Sequence, residues 1–360
     1  MDNEKNGQVS PDGTSPEKRG SGRPSFQKEL RDAVTPRSMI LIFGVLLLEL
    51  AFVVSFIGAF HSPKPENLPI AVVAPEQTRA VVIAELNSLP DKPLSARLAA
   101  SADDAKDMVL DRSVDAALLV SAPAGRDELL VASAGGPSAV QSLQVIFEKI
   151  ERHEGVTVTD LQPPNSADGR GLSSFYLVLG VIIGGYLASA ALAASYGARP
   201  ANLRRTCIRL LALAGLSVVS GVGGAIIVDT VFDALPGHFA TLWGIATLTT
   251  FTAAAAGMAF QVLLGPAGVA MSVLIFVVLG NPSAGGVYPT ALLPPFWGAI
   301  GQALPNGAGV TLVRNYSYFG GHHTAAAWWV LCAWAAGGVL VSCIASLLRK
   351  GKHAYAPPPS

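Results

Sequence analysis

Residues 38–60, SMILIFGVLLLELAFVVSFIGAF, form an apolar run broken by one charge, Glu49, and a long mixed-polar stretch follows before apolar runs resume at Ser174 and recur to Leu348. A helix needs about 20 apolar residues to cross a bilayer core about 30 Å thick. Residues 38–60, 174–196, 208–228, 239–263 and 325–347 meet that length, while 266–280 covers only about 22 Å at about 1.5 Å per residue. The pattern predicts an α-helical polytopic membrane protein of six spans, the fifth abbreviated, with one water-soluble insert at 61–173 between the first two. Composition agrees, with 51% apolar and 14% charged residues and the charge confined almost entirely to the segments between runs.

The basic residues fix an expected direction, because loops that stay in the cytoplasm carry Lys and Arg near the span ends. Arg19, Arg23, Lys28, Arg31 and Arg37 precede the first run, Arg199, Arg204, Arg205 and Arg209 flank the second connection, and Arg349, Lys350 and Lys352 follow the last. Between the third and fourth runs the charges are Asp229 and Asp233, and Arg314 stands alone before the sixth. Six spans with both termini cytoplasmic satisfy every loop, which makes the insert extracytoplasmic and the chain a multi-pass protein of a plasma membrane. The first run is a signal anchor on this reading, since a cleaved signal peptide has an apolar core of only about 7–15 residues.

Ahead of it, residues 1–24 have the composition of a disordered tail. Residues 25–37 read as an amphipathic juxtamembrane helix capped by Ser25, with Phe26, Leu30 and Val34 on one face, either a surface anchor or a docking element. Residues 349–360 form a cytoplasmic tail. The three cysteines, Cys207, Cys332 and Cys343, all lie in or beside apolar runs, so the insert has no disulfide.

The insert reads as a small α/β domain. LPIAVVAP (68–75) is a buried strand, 77–89 a helix, 94–100 a strand, and Ser101 caps a helix whose first turn holds Asp103 and Asp104. Strands at 115–122 and 128–134 form a hairpin about a PAGR turn, 137–153 is a helix, and 156–163 is the last strand. Its serines have no neighbouring base and it lacks cysteine, so a binding or gating role fits better than catalysis. No cofactor, metal or nucleic-acid contact is expected, and adjacent His322 and His323 are only a weak metal signal.

Residues 281–321 are apolar and aromatic yet hold Pro282, Pro289, Pro294, Pro295 and Pro305, which forbid one continuous helix. Two short helices are expected, from Phe296 to Leu304 and, capped by Asn306, from Gly307 to Phe319. Each is too short to cross and would be a re-entrant element, or else an interfacial loop with an aromatic belt. Short or Gly/Pro-interrupted apolar segments point to transport pathways, so Pro294, Pro295, Phe296, Trp297 and Arg314 are pathway candidates.

This order of one span, an insert opening LPIAVV, and five spans with GNPSAGG, LPPFW and LPNGAGVTLVRNYSYF before the last resembles the ABC-2 type transporter permeases, specifically the YhgE/Pip (phage infection protein-like) branch. The resemblance covers about residues 38–348 and is carried most specifically by 279–320. It implies a homodimeric or pseudo-dimeric exporter half with extracellular re-entrant helices, driven by a separate cytoplasmic ATPase. The chain holds no GxxxxGK[ST] phosphate loop, as that division of labour requires, and is expected to be no enzyme itself. The insert is much shorter than the long coiled inserts of many relatives. The expected function is export of a hydrophobic or amphipathic compound. The alternatives are a scaffold or receptor in a secretion-type assembly and a stand-alone, proton-linked drug-resistance protein.

Three further groups follow. Glu49, a charge deep in a span, is either a pathway or proton-linked group or hydrogen-bonded to a Ser, Thr or Gln261 of a neighbouring helix. Arg199, Arg204 and Arg205 are candidate contacts for the ATPase, or determinants of topology alone. Gly180, Gly184 and Ala188, and likewise Ser217, Gly221 and Ala225, recur every four residues and are candidate helix-packing positions.

Overall fold

The computed structural model describes residues 36–121, 126–150 and 156–353. The expected tail at 1–24, all but the end of the 25–37 helix, the tip of the PAGR turn and residues 354–360 lie outside them.

Helix α1 (Pro36–Phe60) leads into the insert, a five-stranded sheet flanked by helices. Its strands are β1 (Leu68–Val73), β2 (Leu94–Leu98), β3 (Ala116–Leu119), β4 (Asp127–Val131) and β5 (Val156–Asp160), in spatial order β2-β1-β3-β4-β5. β1 pairs in parallel with both β2 and β3, the β3–β4 pair is antiparallel as a hairpin requires, and β5 adds parallel to β4. Helices α2 (Arg79–Asn87) and α3 (Ala102–Leu110) carry the first two crossovers, and α4 (Pro137–Lys149) joins β4 to β5. Ser101 caps α3 by accepting from Asp104 N, and Asp104 Oδ2 accepts from Ala100 N in return, so the capping chemistry in the sequence starts that helix where expected.

Alternation along β1 sends Leu68, Ile70 and Val72 to one face, with Val82 and Leu86 of α2 and Leu143 and Phe147 of α4. Ala71 faces the other side, with Ala105 and Val109 of α3. Each core is completed from outside the domain: Leu292 enters the first and Phe319 the second.

The remaining helices are α5 (Ser173–Tyr196), α6 (Leu203–Ala225, running on as a π-helix through Ile226–Val231), α7 (Phe239–Leu264), α8 (Ala267–Ser283), α9 (Pro295–Ala303), α10 (Pro305–Tyr318) and α11 (Ala325–His353). Five helices are long and apolar enough to cross a membrane: α1, α5, α6 with its π extension, α7 and α11. The chain is therefore a membrane-embedded, mostly helical protein. α8 is apolar but has only 17 residues, about 25 Å, and reaches Ser283 rather than ending at 280.

α7 packs against α5, α6 and α11. Its Thr249 and Thr250 turn their hydroxyls back onto the Ile245 and Ala246 carbonyls, and Ala253–Ala256 then offers neighbours a smooth surface. On α6 the expected stripe holds: Ser217, Gly221 and Ala225 are buried, and a Cβ on Gly221 would lie 2.2 Å from Thr247 Oγ1 and 2.9 Å from Trp243 O. On α5 the expectation is corrected. Gly180 and Gly184 are exposed with open space around them, and the contact residue is Gly185, whose added Cβ would lie 2.4 Å from Thr250 O. Neighbouring positions on a helix point about 100° apart, so two adjacent glycines present two different faces, and the bulky residues of the interface, Val178, Val181, Ile182 and Tyr186, select the face carrying Gly185. Ala188 stays half-buried at its margin.

Candidate functional site

Pro282 has no N–H to return to the Val278 carbonyl four residues earlier, and its ring crowds that carbonyl. α8 is widened to a π-helix over Leu274–Leu279, in the turn before that proline, an interruption of the regular hydrogen-bond ladder. The carbonyls this disturbs find side-chain donors. The Ser55 hydroxyl of α1 donates to Val278 O, and Asn306 Nδ2 donates to Phe276 O at 2.9 Å and to Asn281 Oδ1 at 2.8 Å. Asn306 was expected to cap α10; instead Leu304 precedes the helix and Pro305 opens it, which frees the Asn306 amide for α8.

α9 and α10 form a hairpin whose arms of 9 and 14 residues span about 14 and 21 Å, each short of a bilayer core. Backbones touch at its tip: a Cβ on Gly307 would lie 2.1 Å from Gly301 O, and one on Gly301 would lie 1.8 Å from Ser283 O. Trp334 Nε1 donates to Ala303 O at 2.9 Å. Trp334 is nine residues into α11, so the tip lies about 14 Å along that helix, near the middle of a span.

The other end of the hairpin is fastened to the α/β domain. The Ala291 carbonyl accepts from Glu66 N at 2.9 Å and Val287 O from Ser138 Oγ at 3.1 Å. Tyr288 packs at a tilt against Phe60 with centroids 5.5 Å apart, and Gly136 lies against Pro289 so closely that a Cβ there would be 2.4 Å from its ring. Tyr318 donates to Asp168 Oδ2 at 3.0 Å, while Asp168 Oδ1 accepts from Leu172 N, Ser173 N and Ser173 Oγ. Burial, reinforced by the Asp168 charge, raises the Tyr318 phenol well above its ordinary value.

Arg314 is 6% exposed and donates to Gly285 O at 2.8 Å and Gly286 O at 3.2 Å, leaving Nε buried without a partner. Arg112, at the end of α3, lies over the Phe319 ring at 4.9 Å. Burial, then repulsion from Arg112, lowers Arg314 to about 10, with Asp168 and Tyr318 opposing. It therefore stays cationic at neutral pH. Burial likewise lowers Arg112 and raises Asp115, each partly offset by the other. Both guanidinium groups line a cavity of about 260 Å³ with Thr290, Gln302, Thr311, Asn315 and His323.

The sequence-predicted site residues are only partly brought together. Pro294 and Pro295 start α9; Phe296 is 58% exposed; Trp297 lies 3.7 Å from where a methyl on Gly58 would be; Arg314 sits apart in the polar cavity. Glu49 is exposed, and Gln261, one of the hydrogen-bond partners considered for it, pairs with Ser189 at 3.1 Å. At the opposite end of the helices, Arg199 reaches Leu263 O at 3.3 Å and Arg209 holds the Tyr196 and Gly197 carbonyls at 2.9 Å. Arg204 and Arg205 remain exposed, Arg205 on the rim of a groove of about 480 Å³ with Leu192, Tyr196 and Ile208. Ser346 and Thr206 hydroxyls meet at 2.6 Å, so the end of α11 shares this basic side. Sequence reasoning missed Arg112 and Asp168 and read Tyr318 only as part of an interfacial aromatic belt; the three come from segments far apart in the chain and carry no shared local pattern.

Comparison with family models, with curated proteins and with solved structures finds no match to this chain.

Proposed function

We propose that the chain is the membrane-spanning permease subunit of an ABC-type exporter, moving a hydrophobic or amphipathic compound outward while a separate cytoplasmic subunit hydrolyses ATP. In this reading α8 is the short fifth of six spans, both termini are cytoplasmic and the α/β domain is extracytoplasmic. The observation that carries it is the α9–α10 hairpin, which ends near mid-span beside the shortened, π-distorted α8. Broken, re-entrant backbone is tolerated at membrane depth only where protein or an aqueous path satisfies it, and such breaks mark transport routes.

Glu49 supports an assembly of two membrane subunits, either two copies or a related pair. A carboxylate on an exposed helix face costs several kcal/mol in lipid, which favours a covering protein surface or an aqueous path. The same residue favours a second reading, proton-linked transport by the chain alone.

The test is co-purification from mild detergent of a P-loop ATPase with the wild-type chain and with Arg199, Arg204 and Arg205 all replaced by Gln, topology being checked by cysteine labelling of both ends. The permease reading expects capture by the wild type and loss in the variant at unchanged topology. Transport that persists without any ATPase and fails in Glu49→Gln would replace it by the proton-linked reading.

A further inference from the structure

The geometry points to the cavity between Arg112 and Arg314 as a binding site for an oxyanion, a phosphate carried either by a small solute or by a lipid headgroup. This assignment stands whether or not the chain is an exporter.

Charge is the first argument. Two guanidinium groups from different parts of the chain, one at the end of α3 and one in α10, line the same cavity and lie near enough to repel one another. Neither has a carboxylate in contact: among the described residues the ion pair with nitrogen and oxygen within 4 Å is Lys106–Asp103. Asp168, the acid nearest Arg314 in effect, already accepts four hydrogen bonds from its own surroundings. Asp115 lies near enough to Arg112 for each to offset part of the other's burial effect, but it is not within 4 Å of the guanidinium. Two cations held together in a desolvated site favour an anion between them.

Hydrogen-bonding capacity is the second. A guanidinium carries five N–H donors, and Arg314 spends two of them, on the Gly285 and Gly286 carbonyls, with Nε buried and unpartnered. Those two bonds fix the plane of the group, so it is already oriented when a ligand arrives. Arg112 is held by its stack on Phe319 and by the backbone of Gly135, where a Cβ would fall 1.9 Å from Nη1. Around the pair stand neutral groups suited to phosphate oxygens: Thr290, Thr311, Gln302 and Asn315, with His323 at the rim. A volume of about 260 Å³ is several times the roughly 30 Å³ occupied by one water in the liquid, enough for a phosphate and the first atoms of its ester.

Position is the third. The wall is built jointly by the α/β domain, through Arg112, and by the hairpin and its lead-in, through Arg314, Gln302, Ala284, Gly285 and Thr290. A bound anion would tie the two together.

The test uses the full chain, delipidated in a neutral detergent. Inorganic phosphate is titrated at constant ionic strength against chloride while thermal unfolding is followed. In parallel, native mass spectrometry counts retained phosphatidylglycerol against phosphatidylcholine. A saturable rise in Tm with phosphate is expected, weakened at least about tenfold in Arg112→Gln, the loss of a charged hydrogen-bond donor. Retention of phosphatidylglycerol without a phosphate effect would assign the site to a headgroup, provided Arg112→Gln loses it too. Since Arg112→Gln could fail to fold, Gln302→Ala, at an exposed position on the cavity wall, serves as the second variant and should weaken the same ligand several-fold. No saturable effect of either ligand overturns the assignment. So does binding that is as tight in the folded variants as in the wild type.

Discussion

Ser55→Ala, made alone and together with Pro282→Ala, isolates the device that joins α1 to α8. Ser55 is 3% exposed, so water cannot replace its hydroxyl once it is removed. The Val278 carbonyl that it serves has lost its helical donor to Pro282. An unsatisfied buried carbonyl costs about 1–3 kcal/mol, whereas side-chain hydrogen bonds between membrane helices average about 0.6 and reach about 1.7 kcal/mol. The carbonyl here sits inside the protein where Pro282 cannot donate to it, so Ser55→Ala should cost about 1–1.5 kcal/mol, the upper part of the membrane range. Pro282→Ala restores an N–H four residues after Val278. In that background the serine becomes redundant and its loss should cost less than about 0.5 kcal/mol, a coupling near 1 kcal/mol. Reversible unfolding in mixed micelles of rising dodecyl sulfate fraction measures all four corners, with tryptophan fluorescence as the signal because Trp297 and Trp334 sit at α1 and at the hairpin tip. Equal costs of Ser55→Ala in the two backgrounds, within about 0.3 kcal/mol, would refute the idea that this hydroxyl stands in for the proline's missing donor.

Replacing Gly185 by Val should destabilise the helix assembly by about 1–3 kcal/mol, as overpacking against a fixed backbone does, since its Cβ would meet Thr250 O at 2.4 Å; the same change at Gly184 meets open space and should leave unfolding unaltered. Glu49→Gln should impair export at unchanged protein abundance, measured by accumulation of an amphipathic dye in cells; normal export by that variant would remove Glu49 from the transport cycle.

How much of this was legible depends on the range over which each signal acts. The apolar runs, the Ser101 cap with Asp104 and the β3–β4 hairpin are local, and the sequence placed them to within a few residues. The two helices after Pro294 were equally visible, because proline sets a helix start by a constraint within one residue. Asn306 misled for an instructive reason. An asparagine just before a helical stretch is a good cap in isolation, but Pro305 already occupied the first turn and the disturbed ladder of α8 offered its amide two acceptors. The choice between Gly184 and Gly185 had the same character: spacing finds small residues, whereas packing on α7 decides which of two faces they serve. The polar cavity left no trace at all, since Arg112 is one charge among many on a soluble domain until Phe319 and Arg314 are brought beside it.

The way the α/β domain is seated bears on how any motion of the hairpin would be felt outside the membrane. Leu292, on the lead-in to α9, is 1% exposed within one core of the sheet domain, and Phe319, at the end of α10, is 3% exposed within the other. Fully burying such a side chain is worth about 1.5–3 kcal/mol, so separating the domain from the hairpin would cost about 3–6 kcal/mol in apolar burial alone. The Tyr318–Asp168 bond and the Glu66–Ala291 backbone bond would be lost as well. Those residues flank the hairpin on both sides and enter opposite faces of one sheet. A shift of α9 relative to α10 therefore cannot be absorbed by a loose linker. It must either tilt the sheet as a rigid body or break one of the two cores, and since packed cores resist partial separation, the tilt is the cheaper response. An anion held between Arg112 and Arg314 would resist that tilt directly, because it would bridge the two bodies that must move.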